Sequence, residues 1–315
     1  MASIPKLVIL LLCTCLHTLA HGGDDLRTYK VLHAGALKSA TVNCSQPQVT
    51  PSSGGVTVPL HHRHGPCSPV PSKKAPTLEE MLRRDELRAA YITRNQSESG
   101  NLLEDQTDGL MGLGGGAQSL ATQTAGTFGK AFSYCLPPTS SSPGFLTLGA
   151  STSSFIVKTP MLRSSEVPSY YGVRLQAIRV GGRQLSIPAS VFSAGSIMDS
   201  GTIITRLPAT AYSALSSAFK AGMKQYPPAQ PMGIFDTCFD FSGQSTINIP
   251  TVSLVFSGGA VVDLVSDGII LDSCLAFAAN SDDSSLGIIG NVQQRTIEVL
   301  YDVGGGSFGF KAGAC

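Results

Sequence analysis

One stretch of the chain, Ser196 to Thr202, combines residue types that could carry acid–base chemistry. A short, mostly apolar run leads into Asp199 and would carry its carboxylate between sheets. Gly201 allows a sharp turn and the close approach of another segment, and the hydroxyls of Ser200 and Thr202 can hydrogen-bond a carboxylate. A carboxylate held in this way can exchange a proton with a bound water. Because the same residue types are common in ordinary turns, the stretch needs a second signal.

The second signal lies downstream, at Leu286 to Asn291, where two apolar residues are enclosed by glycines. A strand-like run then continues to Asp302. Together with Asp199 to Thr202, this segment resembles the second half of a pepsin-like aspartic endopeptidase (peptidase family A1), in its plant, nepenthesin-like branch. Further matching segments cover most of the chain from Thr107 onward; they are Phe132 to Leu136, Tyr171 to Val173, Phe235 to Phe239 and Gly309 to Cys315.

The resemblance implies a chemistry that uses two carboxylates. In such enzymes each of two similar lobes contributes one Asp, and the pair shares a proton around one water. The ionised Asp takes a proton from the water while the other polarises the peptide carbonyl. Asp199 would be one of the two, Ser200 would bond across to the matching loop, and Thr202 would orient the carboxylate. The implied substrate is a polypeptide, and neither a metal ion nor a cofactor is needed.

The partner of Asp199 is missing from its expected position. Asp108 to Gly114 resembles a first-lobe counterpart of the downstream glycine-enclosed segment, so Gly112 and Gly290 would be equivalent structural-loop glycines. Asp199 precedes Gly290 by 91 residues, and the same step back from Gly112 leads to His21. No D-T-G, and no other D-S-G, occurs in the chain. The sequence therefore predicts an all-β, pepsin-like bilobal fold with a complete second lobe and a truncated first lobe.

The predicted gap falls between Arg94 and Leu103, where propeptide-like sequence runs into late first-lobe sequence. One Asp cannot supply the chemistry of two, so we expect the chain to be inactive or very weak as a monomer. One alternative is a homodimer that places two copies of Asp199 face to face. Another is a non-catalytic secreted binding or inhibitor protein on the same fold. A truncated transcript or an incomplete gene model would also explain the gap.

Composition supports the fold class and excludes some functions. Charged residues make up 14% of the 315 residues and the net charge is +1, which argues against a nucleic-acid partner because such partners require a basic face. The apolar fraction of 42% argues against wholesale disorder. Short runs rich in Val, Ile and Thr, separated by Gly, Pro and Ser, indicate an all-β protein.

Four segments are predicted along the chain. Residues 1–20 are typical of a secretory signal, because Lys6 precedes the apolar run Leu7 to Leu12, which is too short for a membrane anchor. Residues 21–100 resemble a propeptide, poorly ordered with one helix. Residues 101–154 would be the remnant of the first lobe, including a short helix from Ala117 to Thr127, and residues 155–315 the second lobe. We therefore expect a monomeric zymogen in the secretory pathway, reaching the apoplast or a vacuole.

Two helices are predicted with identifiable start signals. In the propeptide-like segment, a T-x-x-E capping box begins at Thr77. The apolar stripe expected on this helix consists of Leu78, Met81, Leu82 and Leu87. In the second lobe, a helix from Pro208 to Tyr226 has proline in its first turn and one apolar face, so that face belongs to the core.

Six cysteines remain after removal of the signal: Cys44, Cys67, Cys135, Cys238, Cys274 and Cys315. An even number in an exported chain suits disulfides, and the sequence alone allows several pairings. The family resemblance implies Cys238 with Cys274 and Cys135 with Cys315, and leaves Cys44 and Cys67 open. A metal site lacks the C-x-x-C spacing, and the histidines His61, His62 and His64 lie in a Pro/Gly-rich segment that cannot easily preset ligand geometry.

Overall fold

The computed structural model describes residues 28–33, 55–62, 65–68, 76–93, 111–165 and 168–315. The predicted signal at 1–20, the predicted junction at 94–103 and the beginning of the Asp108 to Gly114 motif lie outside these residues, as do Cys44 and His64. No helix in the described ranges is long and apolar enough to cross a membrane.

Strands dominate the described residues. They are β1 (Tyr29–His33), β2 (Val56–Leu60), β3 (Ala131–Cys135), β4 (Gly144–Leu148), β5 (Val157–Pro160), β6 (Gly172–Val173), β7 (Leu175–Val180), β8 (Arg183–Gln184), β9 (Ser196–Met198), β10 (Thr205–Leu207), β11 (Thr246–Pro250), β12 (Val252–Phe256), β13 (Val261–Asp263), β14 (Ile270–Leu271), β15 (Cys274–Leu275), β16 (Phe277–Ala279), β17 (Gly287–Ile289), β18 (Ile297–Asp302) and β19 (Ser307–Ala312). The α-helices are α1 (Leu78–Thr93), α2 (Leu120–Gln123), α3 (Ala125–Phe128) and α4 (Ala209–Gly222).

A six-stranded antiparallel sheet joins distant parts of the chain, in the order β2-β4-β3-β18-β19-β5. A five-stranded mixed sheet has the order β16-β10-β17-β9-β6, with β9 parallel to β17 and β10 parallel to β16. A four-stranded sheet, β13-β12-β7-β8, and two strand pairs, β1-β11 and β14-β15, complete the architecture. The fold is therefore mostly β, as the sequence predicts.

Several elements follow local sequence signals. The turn between β7 and β8 contains Gly181 and Gly182 at φ +55° and +74°, the left-handed conformation that glycine adopts without steric cost. Helix α4 begins directly after Pro208 and buries one face, which includes Leu215 and Phe219, both 0% exposed. The capping box of α1 is present, since Thr77 N donates to Glu80 Oε2 at 2.8 Å and Glu80 N donates to Thr77 Oγ1 at 3.2 Å.

Two helix predictions need correction. The predicted helix from Ala117 to Thr127 is divided into α2 and α3, which meet at Thr124, whose hydroxyl donates to Leu120 O at 2.7 Å. Threonine and glycine are weak helix formers, so this segment sustains only short turns. On α1, Leu87 is 64% exposed and does not belong to the buried face, which consists of Leu82, Asp85, Ala89 and Ile92.

The propeptide-like segment also contributes two strands that were not predicted from the sequence. Strand β1 pairs with β11, with Tyr29 opposite Pro250, and β2 pairs with β4, with Val56 opposite Leu148. The hydroxyls of Thr57 and Thr147 lie 2.8 Å apart across the second pair. Backbone pairing therefore joins this segment to two different sheet edges.

Substituting the anchor of α1 should release the helix. Leu82 packs in an apolar cluster with Ile204 and Phe235, and we expect Leu82→Ala to weaken docking by about 2–5 kcal/mol, the usual cost of a buried Leu→Ala change. The exposed Leu87→Ala is the matched control, with an expected effect within about 0.5 kcal/mol. Hydrogen exchange of the α1 amides measures both. Equal loss of protection in the two variants would contradict the assigned helix face.

Candidate functional site

The carboxylate of Asp199 is carried to its position by β9. This strand runs parallel to β17, and Asp199 N donates to Ile289 O at 3.1 Å, which continues the ladder by one residue. A Cβ on Gly290 would lie 2.6 Å from Ile203 O, so only glycine allows this close approach. At Gly112, the proposed first-lobe equivalent, a Cβ would meet no atom of the described residues within 4 Å. Within the described part of the chain, the close contact that requires glycine at position 290 therefore has no counterpart at Gly112.

Residues of the same loop hold the Asp199 side chain. Thr202 Oγ1 donates to Asp199 Oδ2 at 2.6 Å, and Gly201 N donates to Asp199 Oδ1 at 3.0 Å. Thr202 is completely buried, whereas Ser200 is exposed and its carbonyl accepts a hydrogen bond from Asn291 Nδ2 at 3.1 Å. The orienting role expected of Thr202 stays a prediction. The expected contact of Ser200 with a first-lobe loop stays a prediction.

A cation from α1 faces the Asp199 carboxylate. Arg88 Nε donates to Asp199 Oδ2 at 3.1 Å and Arg88 Nη2 donates to Oδ1 at 3.0 Å, which is the bidentate geometry of a strong guanidinium–carboxylate pair. The two side chains are 28% and 15% exposed. Burial alone would lower the pKa of Arg88, but the charge of Asp199 raises it above its usual value. Both oxygens of Asp199 are therefore engaged by the helix.

One helical turn earlier, Asp85 makes a second polar anchor. Its carboxylate is 0% exposed and accepts hydrogen bonds from Ile203 N and from Ile204 N, the latter at 3.2 Å. Arg206 Nη2 lies 3.4 Å from Asp85 Oδ2. Burial raises the pKa of Asp85, while the two amides and the charge of Arg206 act in the opposite direction. The spacing from Asp85 to Arg88 places both side chains on one face of α1.

Asp85, Arg88 and Arg206 were not predicted as site residues. The D-x-x-R spacing of the first two was visible in the sequence, but such a pair is usually a solvated charge pair on a helix surface. What distinguishes it is the burial of Asp85, and burial depends on contacts with residues more than 110 positions later.

Beneath Asp199, buried tyrosines connect β3 to the site. The hydroxyls of Tyr134 and Tyr301 lie 2.9 Å apart, and Tyr301 OH donates to Met198 O at 3.4 Å. Tyr134 also donates to the side chain of Gln294, whose amide nitrogen donates to Ile289 O at 2.7 Å. Burial raises the pKa of Tyr134, so the hydroxyl remains a neutral donor. The network fixes the carbonyls at the ends of β9 and β17.

Disulfides connect Cys135 to Cys315 and Cys238 to Cys274, the two pairings that the family resemblance implies. Cys67 is also disulfide-bonded. Within the described ranges, no group of three or more His, Cys, Asp or Glu side chains is placed to hold a metal ion.

Comparisons with known proteins cover both halves of the chain. Residues 37–150 match the family model described as "Xylanase inhibitor N-terminal", and residues 170–312 match "Xylanase inhibitor C-terminal". An aspartyl protease family protein of Arabidopsis thaliana is 52% identical over 214 residues, which are 66% of this chain and 45% of the relative. Aspartic proteinase nepenthesin-2 of Nepenthes gracilis is 37% identical over 211 residues, or 62% of this chain and 47% of the relative.

Solved structures share the fold at low sequence identity. The crystal structure of edgp superimposes with a TM-score of 0.59 at 19% identity, covering 68% of this chain and 63% of that one. Basic 7S globulin from soybean gives a TM-score of 0.54 at 23% identity, covering 68% and 59%. The chain spans about half the length of the curated relatives it matches. On these matches, and on the D-S-G-T loop at Asp199, the chain belongs to the plant pepsin-like aspartic proteases of peptidase family A1.

Proposed function

We propose that this chain is an aspartic-endopeptidase homologue that is inactive, or nearly so, as a monomer, and that its own helix α1 occupies the Asp199 site. The observation that supports this proposal is the bidentate pair between Arg88 and Asp199. The sequence gives further support, because no D-T-G and no second D-S-G motif occurs in the chain.

The Arg88 guanidinium cannot replace a second carboxyl group. Arginine stays protonated and only donates hydrogen bonds, so it can neither share a proton with Asp199 nor accept one during catalysis. It also fills the space in front of the loop, since a Cβ on Gly201 would lie 2.5 Å from Arg88 Nη2. In this arrangement a water and a peptide carbonyl have no access to both carboxylate oxygens of Asp199.

An acid proteolysis assay tests the proposal. The full chain is incubated with a denatured protein at acidic pH, with and without a statine-type inhibitor. We expect no inhibitor-sensitive cleavage from the wild type or from Arg88→Ala, because removing the helix cation does not restore a second carboxyl group. Asp199→Asn gives the background rate. Inhibitor-sensitive cleavage by the wild type that disappears in Asp199→Asn would overturn the proposal.

A second candidate is a non-catalytic binding protein. It is favoured by the two matching family models, which are described as the halves of a xylanase inhibitor, and by fold neighbours that include 7S globulins. A microbial xylanase is the appropriate first probe. If this candidate holds, immobilised full chain should retain the xylanase at near-stoichiometric amounts but not serum albumin, and the retained xylanase should lose activity.

We further propose that the chain is a monomer that travels through the secretory pathway to the apoplast or a vacuole. The signal-like residues 1–20 and the even number of remaining cysteines support this route. Analytical ultracentrifugation of the purified chain tests the oligomeric state, and fusion of residues 1–20 to a fluorescent reporter tests the export signal.

A further inference from the structure

The residues that bind Asp85 form an anion-binding site on the part of the protein that α1 packs against. Two consecutive backbone amides, Ile203 N and Ile204 N, point at one carboxylate, and the Arg206 guanidinium lies on its other side. Both amides belong to the loop between Asp199 and β10, so no strand partner uses them. The three groups together match the acceptor geometry of a carboxylate.

Arg206 lies in the middle of a sheet, so its buried positive charge needs an anion beside it. Within β10 it is paired with Ala278 of β16 and with Ile288 of β17, and the residue is 7% exposed. Among the residues that the structure describes, its Nε has no hydrogen-bond partner. A guanidinium at such a position is costly unless an anion faces it. Asp85 supplies that anion while leaving one donor of Arg206 unused.

Apolar surfaces flank this carboxylate site on both sides. On one side Leu82 enters a cluster with Ile204 and Phe235. On the other side Ile92 contacts a cluster that includes Ile197 and Ile288. The surface therefore fits an amphipathic segment in which an acidic residue lies one helical turn before a basic residue, with apolar residues one turn beyond each.

We propose that Ile203, Ile204 and Arg206 form a carboxylate-binding site that accepts an Asp or Glu side chain of a polypeptide laid across Asp199 when α1 leaves. Asp85 is its occupant within this chain. The inference rests on the proposed occupation of the Asp199 site by α1, and it requires no hydrolysis.

Peptide binding tests the ligand class. The receptor is the full chain with Asp85→Ala and Arg88→Ala, which removes both polar anchors of its own helix, and the probe is a fluorescent peptide of residues 76–93. We expect saturable binding, and at least tenfold weaker binding of the same peptide carrying Asp85→Asn. In a receptor that also carries Arg206→Met, the difference in affinity between the two peptides should become smaller. Equal affinity of both peptides for the first receptor would overturn the proposal.

A rescue experiment covers the case in which no peptide binds. Asp85→Ala in the full chain leaves a space of carboxylate size, which sodium formate at pH 7 should fill, raising the hydrogen-exchange protection of the α1 amides at least threefold over sodium chloride at equal ionic strength. Asp85→Asn fills the space and should not respond. Absence of both peptide binding and formate rescue overturns the site. Inhibitor-sensitive cleavage of the peptide would instead contradict the proposed inactivity and leave the carboxylate site standing.

Discussion

Replacing Tyr301 with alanine is expected to lower the free energy of unfolding by about 3–5 kcal/mol, the usual cost of deleting a large buried aromatic ring. The side chain is 3% exposed and lies at the centre of an aromatic cluster. Its ring stacks on Phe132 at 4.6 Å between centroids and meets Phe308 edge-on at 4.9 Å and Tyr171 at 5.1 Å. The cluster supports the end of β9, so the variant should also loosen the Asp199 loop.

The control for this variant is Tyr301→Phe, which keeps the ring and removes only the hydroxyl. We expect a loss of about 1 kcal/mol from the hydrogen bonds to Tyr134 and Met198. Because the chain contains no tryptophan, unfolding in urea is followed by far-UV circular dichroism. If Tyr301→Phe were as destabilising as Tyr301→Ala, the hydroxyl network and not ring packing would be the main contribution.

Removing the disulfide between Cys238 and Cys274, by changing both to alanine, is expected to lower stability by about 4 kcal/mol. This value follows from loop-closure entropy of the unfolded chain at a sequence separation of 36. Both cysteines pack in the cluster that receives Leu82, so the same variant should also reduce the exchange protection of α1.

The second disulfide provides an internal comparison. The loop between Cys135 and Cys315 spans 180 positions, and the same entropy argument predicts a loss of about 5 kcal/mol. Thermal unfolding of the two double variants, beside wild type with and without dithiothreitol, measures the difference. A much larger loss for the shorter loop would show that local packing, not chain entropy, determines the contribution of that bridge.

Elements with strong local signals could be predicted from the sequence. Helix α4 was expected because proline precedes a single apolar face. The hairpin between β7 and β8 has an equally local cause, two consecutive glycines at positive φ. The Asp199 loop and its Thr202 contact followed from a short motif together with a family resemblance. In each case the decisive residues are close together in the sequence.

Long-range contacts could not be predicted in the same way. The polar residue Asp85 lies in the buried face of α1 because amides near Ile203 satisfy it, and no pattern within the helix reveals this. The pairing of β1 with β11 joins residues more than 210 positions apart. The roles of Arg88 and Arg206 depend on the same kind of tertiary contact, so only the folded arrangement identifies them.

The six-stranded sheet has a consequence for the order of folding during synthesis. Its central pair joins Cys135 of β3 to Glu298 of β18, and β19 beside it ends at Ala312. The sheet therefore cannot close until β18 and β19 have left the ribosome, and the edge of β3 that pairs with β18 stays unpaired until then. Contacts this distant in sequence slow folding and prolong exposure to aggregation. For this molecule, successful folding depends on β18 reaching the open edge of β3 before that edge pairs with another chain.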